Sequence, residues 1–200
     1  MTRDYEILRR ERLFKNWLAL DGVTLRHRLH SGGMSPPIRR DLLVRGPAVA
    51  VLLYDPDRDE VALVEQFRVG ALAAGMSPWV IETVAGLIDG DETPRAVALR
   101  ECEEEAGVRP DALVRICRQL ASPGCTDETV EIFVGRVDTN GLGGIHGLPE
   151  EGEDIRVLVM PRAEAIAACT DGRIANAITL VALQWLELNR ATLASRWEQA

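Results

Sequence analysis

The sequence predicts a mixed α/β sandwich preceded by a small antiparallel sheet. Two observations carry this expectation. From residue 47 onward, apolar runs of strand length alternate with amphipathic stretches of helical period. Residues 5 to 45 instead hold short alternating pieces around a turn rich in Gly and Pro. The expected division is therefore an amino-terminal β subdomain, residues 1–46, and a main domain, residues 47–200. A chain of 200 residues buries one good core with a small extra subdomain.

In the amino-terminal part, WLALDGVTLRHRL and IRRDLLVRG read as strands around the turn SGGMSPP. Val23, Leu25 and Leu29 alternate onto one side, with His27 among them. AVAVLLYD after Pro47 is a continuous apolar run and reads as a central strand. DPDRD is a turn, EVALVEQFRV a second strand, and WVIETVAG follows a Gly/Ser/Pro linker. LVRICRQL, the loop ASPGCTDET and the strand VEIFVGRV come next. GLGGIHGLPEEGED is Gly-rich, acidic and too polar for core, so it reads as a mobile functional loop. IRVLVMP is a last strand, AEAIAACTDG a helix ending at Gly172, and ITLVALQWLELNRATLASRW a final helix. Val181, Trp185 and Leu188 define the expected apolar face of that last helix.

Composition removes several classes of function. The net charge of −8 argues against a nucleic-acid surface and means that the overall field does not attract an anionic substrate. No uninterrupted apolar run is long enough for a membrane span, and the charged start MTRDYEILRRERLF lacks the apolar segment of a signal peptide. A cytoplasmic chain is expected. Cys102, Cys117, Cys125 and Cys169 form no CxxC pair, so neither a zinc site nor a disulfide framework is indicated. Cys102 reads as a small core residue. Cys125 sits in a Gly/Pro loop without a neighbouring base to activate it.

The segment that carries chemistry is GLIDGDETPRAVALRECEEEAGV, from Gly86 to Val108. Thr93 suits a helix N-cap, Pro94 the first turn, and Gly107 a left-handed stop. Leu99, Cys102 and Ala106 then share an apolar face, while Glu101 and Glu105, four apart, share another with Glu104 beside them. That acidic face reads as solvent-side, and Glu103 falls near the apolar flank. Three crowded carboxylates repel one another unless a cation lies between them, and hard divalent cations take oxygen ligands. A lone acidic run is ordinarily a solvated surface. Here it is tied to Gly86, then five residues, Glu92, seven residues and Arg100-Glu101.

That spacing matches the Nudix box at every fixed position, and the chain resembles Nudix hydrolases over nearly its whole length. The resemblance sharpens the fold to an α/β/α sandwich with a mixed sheet. It implies that the carbonyl of Ala85 and the carboxylates of Glu101 and Glu105 hold magnesium or manganese, more than one ion per site. Glu104 is then a further ligand or a group reached through water. It also implies that Arg100 and Glu92 form an internal ion pair that orients the loop.

Pro123, sixteen residues past Gly107, resembles the ADP-ribose pyrophosphatase branch, as do RHRL with RRD, VEQFRVGA, and GIHGLPEEGEDIRV with ALQWL. Cys125 stands where glycine is usual in that branch, and Asp41 where Glu is common. The resemblance implies hydrolysis of ADP-ribose to AMP and ribose 5-phosphate. Its general base maps to Glu151, with Glu150 and Glu153 as neighbouring registers and Glu104 as the alternative within the box. Substrate contacts map to Trp17, Arg40, Arg68, Glu82, Gly86 and Ser122. By residue type alone, ordinary packing is the commoner fate of a Trp such as Trp17, and Arg68 equally fits an edge-strand charge. The branch forms homodimers with shared active sites, and residues 5 to 45 are too few to bury a core alone. The rival readings are a pyrophosphatase of GDP-mannose or ADP-glucose, or a regulator that binds ADP-ribose without cleaving it. Intact Glu101, Glu104 and Glu105 disfavour the regulator, and the acidic balance disfavours RNA decapping.

Overall fold

A computed structural model describes residues 4–198 of the chain, apart from the side chain of Glu151. The chain separates into two compact units, Met1–Pro47 with Leu120–Thr129, and Ala48–Gln119 with Val130–Ala200.

The first unit is an antiparallel sheet of β1 (Tyr5–Lys15), β2 (Ala19–His27) and β3 (Ile38–Val44), in that order. Strand β1 was not evident as a strand because its charges break the alternation; nearly every residue in it is exposed. Asp21 of β2 is buried and pairs with two residues of β1, Arg10 at 2.7 Å and Arg12. The Arg12 and Arg10 guanidiniums hold its carboxyl below the usual range. The segment Leu120–Thr129 belongs to this unit. Leu43 N–H donates to Cys125 O at 2.8 Å, and Asp127 Oδ1 accepts from the backbone of Arg45 and Gly46.

The second unit is built on an eight-stranded sheet. Its strands are β4 (Pro47–Asp55), β5 (Glu60–Phe67), β6 (Trp79–Glu82), β7 (Val84–Leu87), β8 (Ala112–Leu120), β9 (Thr129–Arg136), β10 (Ile145–His146) and β11 (Ile155–Pro161). The spatial order is β10-β11-β5-β4-β9-β8, with β6 on β5 and β7 on β4. Along β4, Ala48, Ala50, Leu52 and Tyr54 pack with α3 (Arg162–Asp171) and α4 (Ala177–Trp197). Val49, Val51 and Leu53 pack instead with α2 (Pro94–Ala106). Helices therefore cover both faces, the expected α/β/α sandwich, which is why β4 reads as an unbroken apolar run.

Strands β4 and β5 pair directly only at Leu53–Asp55 with Glu60–Ala62. Beyond that they part, and β6 and β7 take up their free edges. Gly86 itself lies in β7, opposite Val49, so the loop into α2 begins after Leu87 and spans residues 88–93.

Two expectations are corrected. The strand from Glu60 ends at Phe67, and the Ala/Gly-rich run after Arg68 forms the short helix α1 (Val69–Ala73). In α4 the buried stripe is Thr179, Ala182, Leu183, Leu186, Leu193 and Trp197. Val181 and Trp185 are only half-buried and Leu188 is 85% exposed. With apolar residues on several faces, the sequence permits more than one helical phase.

Candidate active site

Helix α2 begins and ends where expected. Thr93 accepts from Ala96 N–H at 3.2 Å, Pro94 opens the first turn, and Gly107 caps the end at φ 63°. Cys102 and Ala106 are buried and Leu99 half-buried. Burial pushes the Cys102 thiol well up, so it behaves as a core residue.

Glu105 does not lie on a solvent-side face. It is 2% exposed, and its Oε2 accepts from Ala85 N–H of β7 at 3.0 Å. Glu101, one turn earlier, lies in the space left by Gly86, where a Cβ would come within 1.9 Å of its Oε1. A side chain at residue 86 would evict this carboxylate. Arg100 reaches Glu101 at 2.8 Å, Glu104 at 2.9 Å and Glu92 at 3.5 Å. It therefore holds the loop to the helix while drawing Glu104 toward itself. In this arrangement no three acidic, His or Cys side chains among the described residues enclose an ion. Glu103 turns outward to Arg109 rather than toward the apolar flank.

Burial drives the electrostatics of the pair. It pushes Glu105 up to about 8 and Glu101 up to about 7. The unfolded values lie near 4.5, so the folded chain retains protons that the unfolded chain releases. Stability from this pair is full below the unfolded value and is lost as pH rises through the folded ones. Without added cations, Tm is expected to fall by roughly 5–10 °C from about pH 5 to pH 8. A thermal melt series that stays flat or rises over that window contradicts this.

Arg68 and Glu82 form one unit. Arg68 Nε donates to Glu82 Oε2 at 2.8 Å, and Asn176 Nδ2 donates to Glu82 Oε1 at 2.8 Å. Asn176 also caps α4 by accepting from Thr179 N–H, while Thr179 Oγ1 accepts from Thr83 N–H. These groups border a cavity of about 310 Å³ whose lining includes Arg68, Met76, Trp79, Glu82, Arg173 and Asn176. Asn176 went unnoticed in the sequence. An Asn three residues before Thr179, at the head of an apolar run, is the signal that marks it.

The Gly141–Asp154 loop carries short regular pieces that its composition does not signal. It contains β10 and a 3-10 turn at Pro149–Glu151. Glu153 Oε2 accepts from Leu148 N–H at 3.0 Å, and its charge adds to the upward push on Glu101 and Glu105. Glu150 is exposed, and the side chain of Glu151 lies outside the described residues.

Ala85, Gly86, Glu92, Arg100, Glu101, Glu104 and Glu105 are thus assembled at the junction of β7 and α2. Arg68 and Glu82 lie in the same unit. Trp17, Arg40 and Ser122 belong to the amino-terminal unit. There Trp17 is 77% exposed, with the Arg45 guanidinium 4.6 Å above its ring. Arg40 donates to Arg39 O at 2.8 Å, and Ser122 O anchors the turn through Cys125 and Thr126 N–H.

The NUDIX domain model matches residues 44–183, and the chain belongs to this family. It is 44% identical over 194 residues to the ADP-ribose pyrophosphatase of Escherichia coli, covering 97% of this chain and 93% of that protein. It is 33% identical to the GDP-mannose pyrophosphatase of Cronobacter sakazakii, covering 94% and 97%. Its fold matches the crystal structure of an ADP compounds hydrolase with a TM-score of 0.70 and 21% identity, over 94% of this chain and 96% of that one. Among the described residues no helix is long and apolar enough to cross a membrane.

Proposed function

We propose that this chain hydrolyses the diphosphate of ADP-ribose, giving AMP and ribose 5-phosphate, with divalent cations as cofactors. The observation that carries the reading is the pair Glu101 and Glu105. Glu105 is buried and Glu101 half-buried beside Gly86 of β7, in a chain 44% identical to an ADP-ribose pyrophosphatase. An all-oxygen donor set of carboxylates withdrawn wholly or partly from water suits a hard cation, because each ionised carboxylate there needs a positive partner. Glu101, Glu105, Glu104 and the carbonyl of Ala85 would hold magnesium or manganese. When bound, such a cation neutralises diphosphate charge and lowers the pKa of a bound water.

The chain's own groups then have distinct tasks. Arg100 and Glu92 keep the loop on the helix and orient the carboxylates. Arg68 is held by Glu82 through Nε, and its terminal nitrogens suit two phosphate oxygens. A carboxylate of the Pro149–Glu153 segment takes the proton from the attacking water as the phosphoanhydride P–O bond breaks.

Trp17, Arg40 and Ser122 serve substrate binding from the amino-terminal unit. We assign that unit to a homodimer with shared sites. Tyr5, Ile7, Phe14 and Trp17 all stand exposed on it and would supply apolar contacts to a second copy.

The 33% identity to a GDP-mannose pyrophosphatase supports one alternative. Initial rates with magnesium on ADP-ribose, GDP-mannose and ADP-glucose decide between them. ADP-ribose is expected to give the highest kcat/KM. A GDP-mannose preference would move the chain to the other specificity.

A further inference from the structure

The loop from Gly141 to Asp154 has glycines at positive φ at 141, 143, 144, 147 and 152, a composition that favours disorder. Yet its middle is pinned to the end of the box helix. The imidazole of His146 lies against Gly107, where a Cβ would come within 2.6 Å of its Cε1. His146 Nε2 donates to Gly143 O at 2.9 Å, which folds the loop back on itself. On either side, Val157 N–H donates to Gly144 O at 3.0 Å, and Gly147 N–H donates to Glu104 O at 3.1 Å.

The Gly147 bond has a reason in the helix itself. The last carbonyls of an α-helix lack intrahelical partners. At the end of α2, Gly107 N–H takes Glu103 O and Val108 N–H takes Cys102 O. The Glu104 carbonyl is thereby left for the loop. Gly107 serves twice: it permits the left-handed turn, and its missing side chain seats the imidazole. Gly147 is equally close to the acidic segment, since a Cβ there would come within 2.7 Å of Glu153 Cβ.

We propose that His146 is a positioning residue that latches the acidic loop to the carboxyl end of the box helix, setting the Glu150–Glu153 segment in register with Glu101 and Glu105. This rests on the reading of the loop as the source of the base. His146 touches no reacting atom. Its contribution is to remove the freedom that five glycines would otherwise give the base, and loss of alignment lowers turnover without removing any binding contact.

The test combines amide hydrogen exchange with kinetics on the full chain, as His146→Ala and as His146→Gln, which keeps a donor at similar reach. In His146→Ala the amides of Ile145–Gly147 should exchange roughly tenfold or more faster while those of α4 are unchanged. The kcat on ADP-ribose should fall about tenfold with KM moved less than about twofold, and His146→Gln should recover most of it. Unchanged exchange in His146→Ala overturns the latch, and faster exchange with unchanged kcat overturns the positioning role. Should the unsubstituted chain fail to cleave ADP-ribose, the functional reading fails, and the exchange data alone decide the latch. Gly107→Ala supplies an independent check. It should speed loop exchange more in the parent, where it also crowds the imidazole, than in the His146→Ala background, where only the strain of a side chain at φ 63° remains. Equal increments in both backgrounds overturn the seat.

Discussion

Glu105→Gln is expected to lower turnover of ADP-ribose by at least about a hundredfold, or about 2.7 kcal/mol of transition-state stabilisation. Glu105 is the most buried of the box carboxylates, and burial pushes it up to about 8. A group so placed becomes an anion at neutral pH only with a cation beside it, which ties its charge to cofactor binding. The amide retains a carbonyl oxygen for the Ala85 N–H, so the β7–α2 junction keeps its hydrogen bond. The variant should therefore fold. In metal-free buffer at pH 8 it should melt higher than the parent, because a buried ionisable group has been removed. Chelation of divalent ions should abolish parental turnover and leave little in the variant to abolish. A coupled phosphate-release assay and a thermal melt on the same preparations measure both halves. Turnover within tenfold of the parent, or full parental activity in chelator, would refute the assignment. A variant that melts far below the parent would show instead that the carboxylate is needed for packing.

The parts of this site that were legible in the sequence are those governed by local backbone chemistry. Thr93, Pro94 and Gly107 fix both ends of α2 because capping and left-handed turns depend on residue type at a single position. The apolar run of β4 is legible because a strand covered on both faces needs no polar alternation. What the sequence withheld depends on tertiary pairing. Spacing shows that Glu101 and Glu105 share a helix face, but not that β7 lies over that face and buries it. Arg68 and Glu82 are read as separate contacts because the strand register that opposes Val64 and Glu82 is not encoded within either segment. Strand β1 is obscured because Arg10 and Arg12 answer to Asp21 on the next strand rather than to a hydrophobic period. His146 gave no local signal, since its partner is an absent side chain at Gly107.

Glu151→Gln is expected to lower turnover by roughly two to four orders of magnitude while ADP-ribose still binds, the usual scale for loss of a general base. The segment meets the requirements on other grounds. It is a 3-10 turn beginning with Pro149, two residues past the Gly147 bond to Glu104 O, and Gly152 ends it at φ 73°. A carboxylate on so short and tethered a turn has limited reach, so neighbouring residues cannot substitute for one another. Glu153 is the informative comparison. Its Oε2 accepts from Leu148 N–H, a bond that shapes the turn, and its charge acts on Glu101 and Glu105. Loss of that carboxylate should disturb loop geometry and the pH profile of kcat together, whereas loss of the base should lower the plateau without shifting binding. Glu150 is exposed, and Glu150→Gln should change turnover by less than about threefold. Calorimetry of ADP-ribose binding and coupled phosphate release on the same three preparations separate these outcomes. If Glu153→Gln removes turnover and Glu151→Gln does not, the register moves by two residues. If none of the three changes kcat, the base lies within the box, where Glu104, which accepts from Arg100 at 2.9 Å, is the leading candidate.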